Sequence, residues 1–294
     1  MNAKTVDKIW TIILYIISFI VVGILALLIG IIIYRGWGFL DMKFLFGDPK
    51  LGEPGGGIGR QLFNSFYMLV LTLAISTPLG IGAGIYLAQY AKEGKFLNVI
   101  RLCIETMASL PSIVVGLFGL LIFVNGTGLG FTLIGGALAI TILNLPSLTR
   151  VSEVAIKDAS LKYSEASLGL GATKWQTIVK VILPAAFPQI LTGIILAAGR
   201  IFGEAAALLY TSGMSAPALR LSAPITSKAN PFNIFRPAET LSVYIWKLNS
   251  EANLPDAAAI ANKSAAVLMI MVLLFNVLSR MLSKKLYVKY RGTK

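Results

Sequence analysis

The chain has 294 residues, of which 56% are hydrophobic and 13% charged, and its formal net charge is +13. This composition excludes an ordinary soluble globular protein and predicts an integral membrane protein. The basic residues flank apolar stretches, so they indicate membrane topology rather than nucleic-acid binding. The single cysteine, Cys103, excludes an intrachain disulfide. Without histidine or clustered cysteines and carboxylates, the sequence predicts neither a metal site nor a bound cofactor.

A membrane-spanning helix needs about 20 mostly apolar residues, and about six such stretches follow one another along the chain. The first follows Lys4 and Lys8 and is too long for a cleavable signal peptide, so we expect it to be retained. The expected spans are 10–34, 63–90, 110–124, 131–148, 183–209 and 264–282. The predicted fold is therefore all-α, a polytopic transmembrane helical bundle that forms a single domain over residues 10–282.

The distribution of lysine and arginine predicts the orientation of these spans, because translocation of positive charge is disfavoured. Residues 1–9 and the basic tail 283–294 are then both cytoplasmic, and the chain is a multi-pass protein of the cell membrane. The segment 210–262 lies outside, and its length suggests folded or membrane-hugging structure, to which we assign no ligand role. The segment 149–182 is a cytoplasmic loop.

That cytoplasmic loop contains the run SEASLGLGATKWQTIVKVILP, from Ser164 to Pro184. Ser164 is a favourable N-cap for a short helix, Glu165 suits its first turn, and Gly169 or Gly171 can end it. We therefore predict a short helix, a glycine turn and a second helix. An element with apolar Leu168 at its tip is suited to docking in a groove of a cytoplasmic partner.

The same run resembles the signature of permeases of ABC importers, which reads EAA, three residues, G, nine residues, I, one residue, LP. The matching positions here are Glu165, Ala166, Ser167, Gly171, Val181, Leu183 and Pro184. Ser167 and Val181 depart mildly from the pattern. The resemblance implies a type I ABC importer permease fold whose cytoplasmic coupling helix, with Glu165, Ala166, Ser167, Leu168 and Gly171, contacts an ATP-binding subunit. The alternative is an ordinary amphipathic loop.

The chain contains no phosphate-binding G-x-x-x-x-G-K-[ST] motif, so ATP must be handled by another subunit. We accordingly expect a transporter subunit rather than an enzyme.

The fifth span places Arg200 and Glu204 in apolar surroundings, one helical turn apart on one face. An arginine inside a membrane must face protein or water, which makes a functional role the default hypothesis. A guanidinium matches a tetrahedral oxyanion, so Arg200 is the candidate phosphate contact. Glu204 either neutralises Arg200 or accepts the proton that hydrogen phosphate carries and sulfate lacks. The alternative is a buried structural ion pair.

Arg200, Gly203 and Glu204, with the runs at 110–118 and 172–178, resemble the A-type permeases of the Pst phosphate system. This resemblance implies phosphate as cargo and a heterodimer with a second, PstC-like permease. It further implies two ATP-binding subunits and an extracytoplasmic phosphate-binding protein. Sulfate, molybdate and phosphonate stay open as cargoes. A proton-coupled secondary transporter and a structural or sensory membrane subunit also stay open.

Overall fold

A computed structural model describes residues 3–38, 41–50, 55–250 and 256–291, except for the side chains of 282 and 285–291. The regular secondary structure of this part of the chain is helical, apart from one isolated bridge between Pro49 and Gly56. The helices are α1 (Ala3–Arg35), α2 (Met42–Phe46), α3 (Gly59–Ile85), α4 (Lys95–Ala108), α5 (Ser112–Gly119), α6 (Leu133–Gly169), α7 (Lys174–Thr177), α8 (Leu183–Gly203), α9 (Ala206–Thr211), α10 (Leu241–Ser250) and α11 (Ala257–Arg291). A π-helical segment, Tyr86–Tyr90, continues α3, and another, Leu120–Asn125, continues α5. A third, Ile178–Ile182, joins α7 to α8.

Five of the described helices are long and apolar enough to cross a membrane, and a sixth span is obtained if α4 and α5 are counted as one bent pair. The predicted all-α bundle with about six spans is thus confirmed. The bent pair turns through 98° at Ser109, Leu110 and Pro111. Proline lacks an amide hydrogen and disfavours helix in the residue before it, which explains why helix α5 begins only after Pro111.

Helices α3 and α6 form the most extensive helix pair of the bundle, and small residues set their spacing. Met68 lies against Gly136, Gly80 against Leu148 and Gly84 against Ser152. The sequence separation is the same in all three pairs, so the two helices run parallel in a fixed register. A Cβ built on Gly84 would lie 2.4 Å from the Cβ of Ser152, a distance that real side chains do not adopt. Glycine is therefore required for this close approach.

The first helix is the most exposed element of the described chain. None of the residues of α1 is buried, and its apolar side chains point outward along its whole length. It is anchored where Gly36, just past its end, packs against Ala266 and Asn262 of α11. An apolar helix with this exposure suits a lipid or protein environment and not water.

The segment 149–182 is a correction to the sequence prediction, because most of it is helix rather than loop. Helix α6 runs without interruption to Gly169, so Ser164 lies inside it and does not cap a separate short helix. Packing explains the extension. Ala155, Ile156 and Ala159 of α6 are buried against Ile178 and Ile182, so the apolar contact continues past the predicted span. The expected glycine turn and second helix are present.

The segment 210–262 is folded, as expected from its length. It contains a turn-rich stretch, α10 and the start of α11, while residues 251–255 lie outside the described part of the chain. A buried cluster that includes Phe44, Ile58, Leu241 and Tyr244 joins α10 and α11 to the start of α3.

Candidate functional site

Helix α8 exposes a single face. Its exposed residues are Ala185, Gln189, Thr192, Leu196, Arg200 and Gly203. Successive members are three or four residues apart, so they lie above one another on one side of the helix. The opposite side, with Ala186, Ile190, Gly193, Ala197 and Ile201, is buried in the bundle. The face is polar at several depths, although α8 belongs to a candidate membrane span.

Arg200 is the charged residue of this face. Its side chain is exposed and has no hydrogen bond or ion pair with any described residue. Arg200 lies in the last turn of α8 and of its candidate span. A guanidinium at the centre of a span costs about 2.5 to 3.5 kcal/mol on insertion scales, and contact with water or with another protein chain lowers this cost.

Glu204 is the C-cap of α8 and not, as predicted, a residue inside a continuous helical span. Helix α8 ends at Gly203, and Glu204 adopts an extended conformation with φ −77° and ψ 111°. Its carbonyl accepts a hydrogen bond from the Ser242 hydroxyl (2.9 Å), and its Oε1 accepts one from the Ala207 amide (3.5 Å) at the start of α9. These partners require the backbone to leave the helix, and the fifth predicted span is broken as a result.

The expected alternative of a buried Arg200–Glu204 ion pair likewise has no counterpart among the described residues. Glu204 is half-buried and its carboxylate caps α9, whereas Arg200 is exposed. The structure thus places the two residues at the same end of α8 but gives them different surroundings.

The helical hairpin formed by the end of α6 and by α7, residues 165–177, protrudes from the other end of α8. Gly171 turns the chain with a φ of +85°, in the left-handed region that favours glycine. The Ala172 amide donates to the Ser167 carbonyl and the Gly171 amide to the Leu168 carbonyl, the pattern of a Schellman cap. Thr173 and Gln176 form a capping box at the start of α7. The hairpin tip is therefore a defined structure.

The tip of this hairpin presents apolar side chains. Leu170 is 91% exposed, Trp175 60% and Leu168 46%, and Glu165 and Ala166 are exposed beside them. Ser167 is half-buried and its hydroxyl shares a hydrogen bond of 2.9 Å with that of Thr177. The five predicted coupling residues thus lie together at one exposed tip, where large apolar side chains indicate an interaction surface.

The hairpin and Arg200 belong to one continuous helical rod. Residues Lys174–Gly203 form a single span-length helix, so about 40 Å of helix, at 1.5 Å per residue, separates Lys174 from Arg200. At its base, the Lys174 ammonium donates to the Gln89 carbonyl (2.6 Å) and lies 4.5 Å from the centre of the Tyr90 ring. The hairpin and Arg200 thus lie at opposite ends of the same helical span.

Arg236 is a site that sequence reasoning missed. Its side chain is fully buried and donates to the carbonyls of Pro231 and Pro237 and, at 2.8 Å, to Oδ1 of Asn64 in α3. Burial lowers the pKa of its guanidinium to about 10, so the group stays protonated at neutral pH. Arg236 lies between two prolines that mark turns, but the decisive partner, Asn64, is remote in sequence.

A second buried charge, Glu239, completes this polar network. Its carboxylate accepts hydrogen bonds from the Gln61 amide (2.9 Å) and the Lys247 ammonium (3.1 Å), and the Asn64 side chain donates to its backbone carbonyl. Burial raises the pKa of Glu239, although Gln61 and Lys247 act in the opposite direction. Together Arg236 and Glu239 fasten the turn-rich stretch to the start of α3.

The chain matches a family of membrane transport proteins along most of its length. Residues 80–290 match the family described as "Binding-protein-dependent transport system inner membrane component". The chain is 49% identical over 291 residues to a probable ABC transporter permease protein, YqgI, of Bacillus subtilis (strain 168), covering 98% of this chain and 99% of that one. It is 33% identical over 237 residues to the phosphate transport system permease protein PstA of Yersinia pestis, covering 81% and 76%.

Among solved structures, a chain of the bacterial alginate ABC transporter, in complex with an alginate pentasaccharide-bound periplasmic protein, superimposes with a TM-score of 0.61. The two chains are 15% identical, and the match covers 97% of each. At this identity the likeness establishes the fold alone, and that fold is the one of type I importer permeases.

Proposed function

The chain belongs to the family of binding-protein-dependent transport system inner membrane components, and we propose that it forms half of the translocation path of an ATP-driven phosphate importer. As an ABC transporter permease it is a membrane component and not an enzyme. ATP is hydrolysed by a partner subunit. The finer parts of the proposal are phosphate as cargo, the roles of individual residues and the identity of the partners.

The observation that carries the proposal is the exposed, unpartnered guanidinium of Arg200 on a helix that spans the membrane. Lipid is an unfavourable environment for it, so the exposed face of α8 borders the path between this chain and a second permease. There the guanidinium is available to a hydrated anion. Its planar array of donors suits the paired oxygens of a tetrahedral oxyanion.

Phosphate is favoured over other oxyanions by the relatedness to PstA of Yersinia pestis and by the proximity of a carboxylate. Hydrogen phosphate carries a proton at neutral pH, and sulfate does not. Glu204 lies at the end of α8, and one of its carboxylate oxygens accepts a hydrogen bond from the Ala207 amide. The other is available to accept that proton, which gives Glu204 the role of discriminating phosphate from sulfate and molybdate.

The hairpin supplies the connection to ATP hydrolysis. In this proposal the tip with Glu165, Ala166, Ser167, Leu168 and Gly171 docks in a groove of the ATP-binding subunit, where Leu170 and Trp175 are removed from water. Movement of that subunit then tilts the rod of α7 and α8 and exposes Arg200 to alternate sides of the membrane. This places the hairpin and both termini in the cytoplasm.

The complete importer contains a second, PstC-like permease, two ATP-binding subunits and an extracytoplasmic protein that delivers phosphate. The long segment 210–262 lies on the outer side, where that protein docks. We assign no ligand contact to the segment, because its buried charges are already bonded within the chain.

The test is uptake of radiolabelled phosphate and sulfate into proteoliposomes that contain the whole complex with Arg200→Lys. Lysine keeps the charge but loses the forked geometry, so phosphate uptake should fall about tenfold, the loss of roughly 1.4 kcal/mol of anion binding. Arg220→Lys is the matched control, because Arg220 is an exposed arginine of the outer segment and should tolerate the change. Glu204→Gln should lower phosphate uptake more than any residual sulfate uptake.

Two results would contradict the proposal. Uptake that needs only a proton gradient, and proceeds without the ATP-binding subunits, identifies a secondary transporter. Uptake that survives Arg200→Ala at the normal rate removes Arg200 from the path, and a concurrent loss of phosphate signalling would identify a sensory subunit.

A further inference from the structure

A groove with a mainly apolar lining and two cationic side chains lies beside the exposed face of α8, between Arg200 and the hairpin. It has a volume of about 710 Å³ and is formed by α6, α8 and α11. Its polar lining consists of Gln189, Thr192, Arg280, Ser283 and Lys284. The lining contains no acidic residue, so the two cations are not balanced within the groove.

The two cations are available for a ligand. Arg280 and Lys284 are exposed and have no hydrogen bond or ion pair with any described residue. They are four residues apart on α11 and therefore share a face. The Gln189 amide and the Ser283 hydroxyl are also without a described partner, whereas the Thr192 hydroxyl already donates to the Pro188 carbonyl. The groove thus offers two cations and two neutral donors.

The position of the groove relative to Arg200 follows from the packing of α8 and α11. Gly199 of α8 lies against the Asn276 side chain of α11. Arg280 is one helical turn beyond Asn276 and Lys284 one turn further, in the direction of the hairpin, because α11 runs antiparallel to α8 at this contact. Arg200, Arg280 and Lys284 therefore lie at successive depths.

The groove opens on the same side as Arg200. Gln189, Thr192 and Leu196 line the groove and belong to the exposed face of α8 that carries Arg200. If this face borders the translocation path, as the proposed function requires, the groove borders the path as well. Lys162 and Lys180 line an adjoining cavity that shares Pro188 and Gln189 with the groove and contains one acid, Asp158. Cations thus continue to exceed acids towards the hairpin end.

We propose that this groove is a second anion site, at which Arg280 and Lys284 receive the oxyanion after Arg200 has released it and before it leaves the membrane. The inference rests on the proposed function and extends it from one binding residue to a sequence of sites. Several weak sites suit transport better than one strong site, because an anion must leave as readily as it enters. The phosphate group of an anionic lipid has the same chemistry, and we assign the site to the transported ion because its face carries Arg200.

A cysteine reporter tests the site without relying on transport. Cys103 is the single cysteine of the chain, so Cys103→Ser with Ser283→Cys yields a subunit whose only thiol lines the groove. Labelling by an anionic and by a cationic thiosulfonate reagent is followed by the mass of this subunit in the complete complex. The ratio of the two rates should favour the anionic reagent about tenfold and fall towards one when Arg280→Gln and Lys284→Gln are added.

Inorganic phosphate should slow the labelling at least threefold relative to chloride at equal ionic strength, and the two glutamine substitutions should abolish this protection. Lys92→Gln with Lys95→Gln removes two exposed cations that do not line the groove and should leave both readouts unchanged. Arg280→Lys with Lys284→Arg should retain the rate ratio if the double glutamine variant proves poorly folded.

Three outcomes overturn the inference. These are equal rates for the two reagents in the parent protein, protection by chloride as strong as by phosphate, and protection only in vesicles that contain phosphatidylglycerol and not in phosphatidylcholine alone. The last result assigns the groove to a lipid headgroup. Failure of the proposed function is recognised separately, because Arg200→Lys then leaves ATP-driven phosphate uptake intact whatever the reporter shows.

Discussion

Two arginines of this chain occupy opposite kinds of surroundings. Arg236 is fully buried in the outer segment, and its guanidinium is bonded to Pro231, Pro237 and Asn64. Arg200 lies on an exposed helix face within a span and has no described partner. A charge whose donors are all used by its own chain holds a structure together. A charge whose donors are unused within its own chain is available to a ligand.

The largest expected effect comes from Arg236→Met. The substitution leaves the carbonyls of Pro231 and Pro237 and the Asn64 side chain without their donor inside a buried region. Hydrogen bonds to charged groups contribute about 1.5 to 3 kcal/mol each, so the fold should lose more than about 3 kcal/mol. Thermal unfolding of the purified complex measures the loss. An unchanged midpoint would show that Arg236 is not a structural anchor.

Arg200→Met should lower transport without lowering stability, in contrast to Arg236→Met. It removes a guanidinium that bonds nothing within the described chain, so the unfolding midpoint should stay within about 1 °C, the scale of surface substitutions. Phosphate uptake should fall about ten- to hundredfold, corresponding to the loss of about 1.5 to 3 kcal/mol of charged hydrogen bonding. A variant that loses stability and transport in parallel would place Arg200 with Arg236 as a structural residue.

An intermediate effect is expected at the hairpin. Gly171→Ala forces a Cβ into the left-handed region at φ +85°, which costs about 1 to 2 kcal/mol locally. Uptake driven by ATP should fall several-fold, while binding of phosphate at Arg200 is unaffected. Gly169→Ala is the matched control, because a Cβ there has open space and the residue is helical. Equal rates of ATP-driven uptake in the two variants would show that the conformation of the hairpin is not required to couple ATP hydrolysis to transport.

The smallest effect is a pH dependence in the outer segment. Burial raises the pKa of Glu239 above its ordinary value of 4.5, so the folded chain holds the proton more tightly than the unfolded chain. The corresponding stability is fully present below pH 4.5 and is lost as the pH rises through the raised folded pKa. Glu239→Gln should flatten the rise of the unfolding midpoint on acidification. An equal slope in parent and Glu239→Gln proteins contradicts the assignment.

The sequence was sufficient for the approximate number of spans, because a long apolar run predicts a membrane helix by its length. It also predicted the turn at Gly171, because glycine is the residue that favours a left-handed backbone. The end of α8 at Gly203 could not be predicted in this way. The end of this helix depends on the Ser242 hydroxyl, 38 residues further along the chain, which donates a hydrogen bond to the carbonyl of Glu204.

The same limit applies to the buried arginine and to the start of the hairpin. Nothing near Arg236 indicates that Asn64, 172 residues away, will accept its hydrogen bond. Ser164 is a good cap in isolation, yet the packing of Ala155, Ile156 and Ala159 on α8 continues the helix through it. Tertiary contact overrode the local preference at Ser164, and at Arg236 it supplied a partner that no local pattern indicates.

The shared register of α3 and α6 limits where conformational change can occur. Gly80 and Gly84 admit the neighbouring helix so closely that a shift of either helix by one residue would drive a side chain into the opposing backbone. Packing this close resists a lengthwise shift of one helix along the other. A rearrangement that opens the molecule to alternate sides is therefore expected outside this helix pair.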